Sequence, residues 1–297
     1  MREFTKFAKN MKLFTEVASE KLTPLSRGER ICVLGSCFAD SIGEKLATAG
    51  FDVLRNPFGT LYNPASVATA VERLDSARPF TADECVEMGA GAGLVCSFAH
   101  HTRFARPTPE AFLDAANAAL AADAAAWAGC RRVIVTLGTA WVWRALERPG
   151  QPVVANCLKR PAREFTHELL SVDACAGLLR ALVASHPDRQ FLFTVSPIRH
   201  LGDGAHANTV SKSTLHLAVQ QVLTEFAGRA EYFPAYEILL DELRDYRFYA
   251  EDLVHPADTA VQLIWERFLD ACTDSADRPA ILAAERAARA AAHRPLR

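Results

Sequence analysis

Apolar and polar residues fall into short blocks along this chain, and the period inside the blocks changes repeatedly. Ile31, Cys32, Val33 and Leu34 form a continuous apolar run behind Arg30, the pattern of a strand buried on both faces of a parallel sheet. Gly35 then permits a sharp exit. From Cys37 the period becomes helical, with Phe38, Ile42, Leu46 and Ala49 on one stripe and Asp40, Glu44 and Lys45 opposite. Ser36 therefore stands where a buried strand ends and a helix begins.

The alternation continues downstream. Residues 51–55 read as a second strand. It leads into a loop containing Asn56, Pro57, Gly59, Asn63 and Pro64, and then into a helix over 65–74. Residues 78–107 show little periodicity apart from a strand at 94–98, which His100 and His101 follow. Pro109 opens an alanine-heavy helix to Trp127. Residues 132–138 are the next buried strand, ended by Gly138 and Thr139 much as Gly35 and Ser36 end the first. Residues 141–143 continue extended and turn at Pro149 and Gly150 into a hairpin partner at 153–154, while 156–170 is polar and irregular. A helix at 172–185 precedes a strand at 190–195, which ends in Ser196-Pro197-Ile198-Arg199-His200. A loop with Gly202 and Gly204, a long helix at 209–226, a short strand at 231–233 and a helix to 243 come next. A final helix runs from Pro256 to Ala271, and the Ala/Arg-rich tail beyond Asp277 reads as a solvated helix or a frayed end.

Strands alternating with helices, without a linker-like break, predict one α/β domain over residues 1–272 with a tail at 273–297. Its sheet is mostly parallel and sits in a three-layer α/β/α sandwich. In such sheets ligands bind at the carboxyl ends of the strands, which is where Ser36 lies.

With 297 residues, half of them hydrophobic, and a formal net charge of −2, a sizeable core is expected. Basic pairs occur only at Arg131-Arg132 and Lys159-Arg160, so no nucleic-acid footprint is present. The eight cysteines are scattered without a C-x-x-C pair, which predicts reduced thiols. Residues 1–20 are broken by Arg2, Lys6, Lys9, Lys12 and Glu16, so no secretory signal is read there. No stretch approaches the ~18 consecutive apolar residues of a transmembrane segment. The expected location is cytoplasmic.

A serine hydroxyl needs a base. His255, in Asp252-x-x-His255-Pro256, is the best candidate. Pro256 suits a first helical position, and an Asp three residues earlier can hold Nδ1 and leave Nε2 toward Ser36. In that arrangement Ser36 Oγ lies ~2.6–3.2 Å from Nε2. Equally, Ser36 can be a helix N-cap, with Asp252 capping a turn beside a surface histidine. Oxyanion donors are sought at Gly59, Asn56, Asn63 and Thr139, which otherwise read as turn residues. Cys37, in the first helical turn, is a rival nucleophile. The histidines at 100, 101, 200, 206 and 255 are rival metal ligands, although adjacent histidines on an extended chain point opposite ways. Arg199 and His200 suit a substrate anion or a structural ion pair. No cofactor or metal is expected.

With these residues assembled, the chain resembles the GSCFA family. The resemblance runs through Gly35-Ser36-Cys37-Phe38-Ala39, Asn56-Pro57-Phe58-Gly59, Tyr62-Asn63-Pro64, His100-His101 and Thr136-Leu137-Gly138-Thr139-Ala140-Trp141-Val142. It continues through Ser196-Pro197-Ile198-Arg199-His200, Asp245-Tyr246-Arg247-Phe248-Tyr249 and His255-Pro256, covering residues 14–270. That family is similar to the SGNH (GDSL-like) hydrolases, which implies a flavodoxin-like sandwich and an esterase with Ser36 as nucleophile, His255 as base and Asp252 as its orienter. Gly59 resembles the oxyanion glycine of the second block, and Gly138 opens the third. There the hydrolases have Gly-x-Asn, whereas Gly138-Thr139-Ala140 carries alanine in place of the asparagine. Loss of one oxyanion donor typically costs about 10²–10³ in rate, so Thr139, Asn63, His100 or His101 would have to replace it. The implied partner is a small-molecule or acylated substrate, carbohydrate esters included. The alternatives are an acyltransferase on the same scaffold and a non-catalytic binding module.

Overall fold

A computed structural model of the chain describes residues 15–18 and 20–292. Residues 1–14 and 293–297, which hold most of the stretch read for a signal and the end of the tail, lie outside the described residues. The strand–helix alternation opens with β1 (Arg30–Gly35), α1 (Cys37–Thr48), β2 (Asp52–Arg55) and α2 (Pro64–Ser76). Two-residue strands β3 (Val86–Glu87) and β4 (Val95–Cys96) precede α3 (Pro109–Ala128) and β5 (Cys130–Leu137). An antiparallel flap follows, with β6 (Trp141–Ala145) between β7 (Val153–Val154) and β8 (Phe165–Leu169). Next come α4 (Val172–Ala184), β9 (Gln190–Val195), α5 (Ala205–Glu225) and β10 (Ala230–Tyr232). The last elements are α6 (Ala235–Glu237), which runs into a π-helical turn at Ile238–Leu243, then α7 (Asp258–Cys272) and α8 (Arg278–Ala292).

The central sheet has the order β10-β9-β5-β1-β2, and every pairing in it is parallel. Counting only these strands in chain order gives 2-1-3-4-5, the flavodoxin-like arrangement. Side chains alternate between its faces as strand geometry requires. Cys32, Leu34, Val133, Val135, Phe191 and Phe193 enter one core beneath α2–α5. Ile31, Val33, Ile134 and Leu192 enter the other, which α1, α7 and the Ile238–Leu239 turn cover. The result is a three-layer α/β/α sandwich.

Three expectations need correction. Residues 165–169 are not irregular but form β8, an outer strand paired with β6. The last core helix starts at Asp258 rather than Pro256, because Pro256 bridges Tyr249 and the Ala257 N–H donates to Phe248 O at 2.8 Å. The tail helix α8 is docked rather than wholly solvated: Ile281 is fully buried, and Trp265 Nε1 donates to Glu285 Oε1 at 2.8 Å. None of the eight cysteines is in a disulfide. Among the described residues no helix is long and apolar enough to cross a membrane.

Candidate active site

Backbone sterics place Ser36. Gly35 has φ +131°, and a Cβ there would come within 2.0 Å of the Thr136 carbonyl oxygen, so only glycine makes this turn. Asn56 fixes it from the other side: its Oδ1 accepts the Gly35 N–H at 2.9 Å, and its Nδ2 donates to Asp40 Oδ1 at 2.9 Å. The Ser36 N–H is shared between Thr136 O and Thr136 Oγ1, both at 3.0 Å. Ser36 Oγ lies 3.0 Å from Thr136 Oγ1 and accepts the Phe38 N–H at 3.3 Å, capping α1. The residue has no exposed surface.

Gly138 and Ser196 follow β5 and β9 at the same sheet edge as Ser36, and the Ser196 N–H donates to Leu137 O at 2.8 Å. The candidate backbone oxyanion donors there already have acceptors. Gly59 gives its N–H to Asn56 O at 2.8 Å, in a turn where a Cβ would strike His101 Cβ at 2.3 Å. Gly138 and Thr139 both donate to Tyr62 O, at 2.8 and 2.9 Å. Thr139 Oγ1 pairs with Ser211 Oγ at 2.9 Å and accepts the Trp141 N–H at 3.1 Å. Asn63 Oδ1 caps α2 through the Ser66 N–H at 2.8 Å.

The histidines separate. His100 is a core residue, its ring among those of Phe80, Phe104 and Phe112 and its Nδ1 2.7 Å from Ser97 Oγ. Burial, then the Arg73 charge, pull its pKa down to about 3. His101 packs beside Gly59, accepts the Arg103 N–H on Nδ1 at 3.2 Å, and is lowered by burial and by Arg103. His200 sits at the site itself. Its N–H donates to Asn208 Oδ1 at 2.8 Å, and its ring meets that of Tyr62 edge-on at 5.4 Å. Its Nε2 lies 2.9 Å from where a Cβ on Gly138 would stand, and Ser36 Cβ lies 3.3 Å from the same point. That nitrogen is buried and has no hydrogen-bond partner among the described residues. Burial, followed by the charges of Lys212 and His255, lowers the ring to about 4.

The second half of the expected apparatus is a turn. Asp252 Oδ1 accepts the N–H groups of Val254 and His255, each at 2.9 Å, and Oδ2 lies 2.7 Å from His255 Nδ1. These bonds hold the Asp252 carboxyl down to about 2. The Arg199 N–H donates to Val254 O at 3.2 Å and so ties this turn to the end of β9. Among the described residues Arg199 makes no ion pair, and no hydrogen bond joins His255 to Ser36. The serine hydroxyl is turned to Thr136, and the His200 ring packs beside Gly138 next to it.

Several residues that order this edge were not singled out from the sequence: Thr136, Tyr62, Asn208 and Lys212. Lys212 is buried, with Nζ donating to Ser196 O at 2.7 Å and lying 5.9 Å from the Tyr236 ring centre. Burial, then Arg199, bring its pKa down to about 7. A signal existed in the helix pattern. Asn208, Ser211 and Lys212 extend the buried stripe of Leu215, Ala218, Val219 and Val222, where polar residues are out of place. Elsewhere, a cavity of about 390 Å³ lies beyond Phe58, walled by Ala70, Phe98 and Val154; none of Ser36, His200 and His255 lines it. Among the described residues no group of three or more His, Cys, Asp or Glu side chains is arranged to hold a metal ion.

The model of the GSCFA family matches residues 30–268. No curated protein matches the chain. Among solved structures, a catalytic mutant of Axe2, an acetylxylan esterase from Geobacillus stearothermophilus, is similar at 13% identity and a TM-score of 0.44, over 84% of this chain and 95% of its own. A family two carbohydrate esterase from Clostridium thermocellum, in complex with cellohexaose, is similar at 10% identity and a TM-score of 0.39, over 84% of this chain and 65% of its own. The acetyl xylan esterase Est2A from Butyrivibrio proteoclasticus is similar at 10% identity and a TM-score of 0.39, over 83% and 64% respectively.

Proposed function

The chain belongs to the GSCFA family, and from that premise we propose that it is a serine-dependent ester hydrolase working through an acyl-enzyme. One observation carries the reading. A serine at the junction of a parallel strand and a helix is accompanied by a carboxylate–imidazole pair, Asp252 and His255, 2.7 Å apart, on a turn that the Arg199 N–H ties to the segment following β9. In this reading Ser36 Oγ rotates away from Thr136 and attacks the ester carbonyl carbon. As the Oγ–C bond forms, its proton passes to His255 Nε2, while Asp252 holds the Nδ1–H and stabilises the imidazolium. The tetrahedral intermediate collapses by breaking the ester C–O bond, and His255 returns the proton to the leaving alcohol. Water then repeats the sequence on the acyl-enzyme. An alcohol in place of that water would make the same chemistry an acyl transfer.

A different reading is favoured by one fact: the Ser36 hydroxyl has no exposed surface and is already paired as a helix cap. On that reading the scaffold binds a ligand without reacting. Fluorophosphonate labelling followed by mass spectrometry separates the two. The hydrolase reading expects an adduct on Ser36 in the wild type and in Cys37→Ser, and none in Ser36→Ala. An intact wild type without adduct supports the binding module, and an adduct on Cys37 points to the thiol.

A further inference from the structure

We propose that His200 is the oxyanion donor of this site, presenting a neutral Nε2–H where the third block, with Ala140, has no asparagine side chain. The inference deepens the hydrolase reading and rests on it. Electrostatic stabilisation of the tetrahedral intermediate needs donors with nothing else to bond. The Ser36 N–H is shared by two acceptors on Thr136, the Gly59 N–H is spent on Asn56 O, and the Gly138 and Thr139 N–H groups are spent on Tyr62 O. Asn63 turns its Oδ1 to α2 as a cap, and the Thr139 hydroxyl pairs with Ser211. His100 is enclosed by phenylalanines, and its Nδ1 is held by Ser97.

His200 Nε2 is different. It is buried without a partner, and it lies beside Gly138, the first residue of the block that lost its donor. Ser36 Cβ borders the same small volume. A buried polar atom left unpaired costs about 1–3 kcal/mol, and an oxyanion supplied during the reaction would remove that cost at the moment it matters. The ring is held for the role: the residue's backbone N–H is fixed by Asn208, the ring packs edge-on with that of Tyr62, and the preceding turn is clamped by Lys212 on Ser196 O. Burial and the charges of Lys212 and His255 keep the imidazole uncharged near neutral pH, which suits a hydrogen-bond donor and not a base. His255, with its carboxylate partner, is the complementary imidazole.

The test has two arms on the full chain. In the first, ¹⁵N NMR of the histidine rings, assigned with His200→Gln, reads charge and tautomer. A neutral His200 ring carrying its proton on Nε2 from pH 6 to 8 is expected; a charged ring, or the Nδ1–H tautomer, overturns the proposal. In the second, 4-nitrophenyl acetate hydrolysis is followed for wild type, His200→Ala and His200→Gln, with melting temperatures measured alongside. His200→Ala should lower kcat by about 10²–10³ with KM within about threefold. His200→Gln, which restores an N–H donor, should recover at least tenfold of that loss. A folded His200→Ala variant within about threefold of wild-type kcat overturns the donor role while leaving the hydrolase reading intact. A wild type that neither turns over nor labels at Ser36 overturns both. If His200→Ala fails to fold, the Gln variant and the NMR arm decide.

Discussion

Ser36, at the end of β1, and the Asp252–His255 turn, tied to the segment following β9, live in opposite surroundings. The serine is fully buried, and both its N–H and its hydroxyl are paired. The His255 side chain is 47% exposed, and the contact that orients it comes from Asp252, three residues earlier. The first half is therefore a product of the whole sheet, fixed by a glycine that admits no side chain and by an asparagine from the next loop. The second half is a self-contained turn, attached to the sheet by the Arg199–Val254 hydrogen bond. The proposed mechanism asks the Ser36 hydroxyl to leave Thr136, and a bound acyl group that excludes water would strengthen its interaction with a base.

Perturbing the buried half should damage the fold, and perturbing the turn should damage only chemistry. The largest effect is expected at Gly35→Ala, whose Cβ would overlap the Thr136 carbonyl from a left-handed backbone. A loss above about 3 kcal/mol, roughly 10 °C in Tm, should appear in thermal melts. A Tm unchanged by this substitution would mean the turn is not as described.

His255→Ala should reduce fluorophosphonate labelling by about 10²–10⁴. Its Tm should stay within about 2 °C of wild type, since the turn contributes little buried surface. Asp252→Asn should cost less than His255→Ala, because the amide oxygen can still accept the two turn N–H groups. A His255→Ala variant that labels at the wild-type rate would remove the turn from the mechanism.

The buried half also predicts a pH dependence. His100, His200 and His216 are held down to about 3, 4 and 4 by burial first, against an ordinary 6.5. Between pH 6.5 and 4 the unfolded chain binds protons that the folded chain refuses, so stability is lost on acidification through that window. One such histidine is worth on the order of 2 kcal/mol between pH 6.5 and 5. His100→Phe, placed among Phe80, Phe104 and Phe112, should flatten the decline in Tm, and an unchanged slope would contradict the assignment.

Lys212 gives the same sign in a higher pH window. Its folded pKa lies at about 7, below the usual 10.5, so above pH 7 the unfolded chain holds the proton longer and stability rises with pH. Lys212→Met removes the buried ammonium but leaves Ser196 O without its donor. The Tm of Lys212→Met relative to wild type should therefore fall from pH 7 to pH 9, and a rising difference would reverse the sign argued here.

The same division explains how much could be read from sequence. The β1–α1 junction was legible because a buried strand, a glycine and a helical stripe are local patterns, and β9 was read with its observed ends for the same reason. β8 was not, because Thr166 and Glu168 present a polar outer face and His167, on the opposite face, leaves no continuous apolar run. The π-helical turn at Ile238–Leu243 has no local signature to distinguish it from an ordinary helix. At the site, Asp252 and His255 could be paired from their spacing, since a turn is a local object. His100 could not be separated from His200: one is walled by phenylalanines and the other by Tyr62, and only the fold decides which. Thr136 acts on a residue a hundred positions away, so nothing near it announces its role.

The central claim is that Ser36 is a nucleophile as well as a helix cap, and site-resolved covalent labelling tests it most directly. Wild-type protein treated with a fluorophosphonate and digested for mass spectrometry should carry one adduct, on the peptide containing Ser36. That adduct should vanish in Ser36→Ala while stability falls by no more than the ~1 kcal/mol of a lost cap. A folded wild type with no adduct on Ser36, or a Ser36→Ala variant that labels and turns over as before, would leave this serine a cap and nothing more.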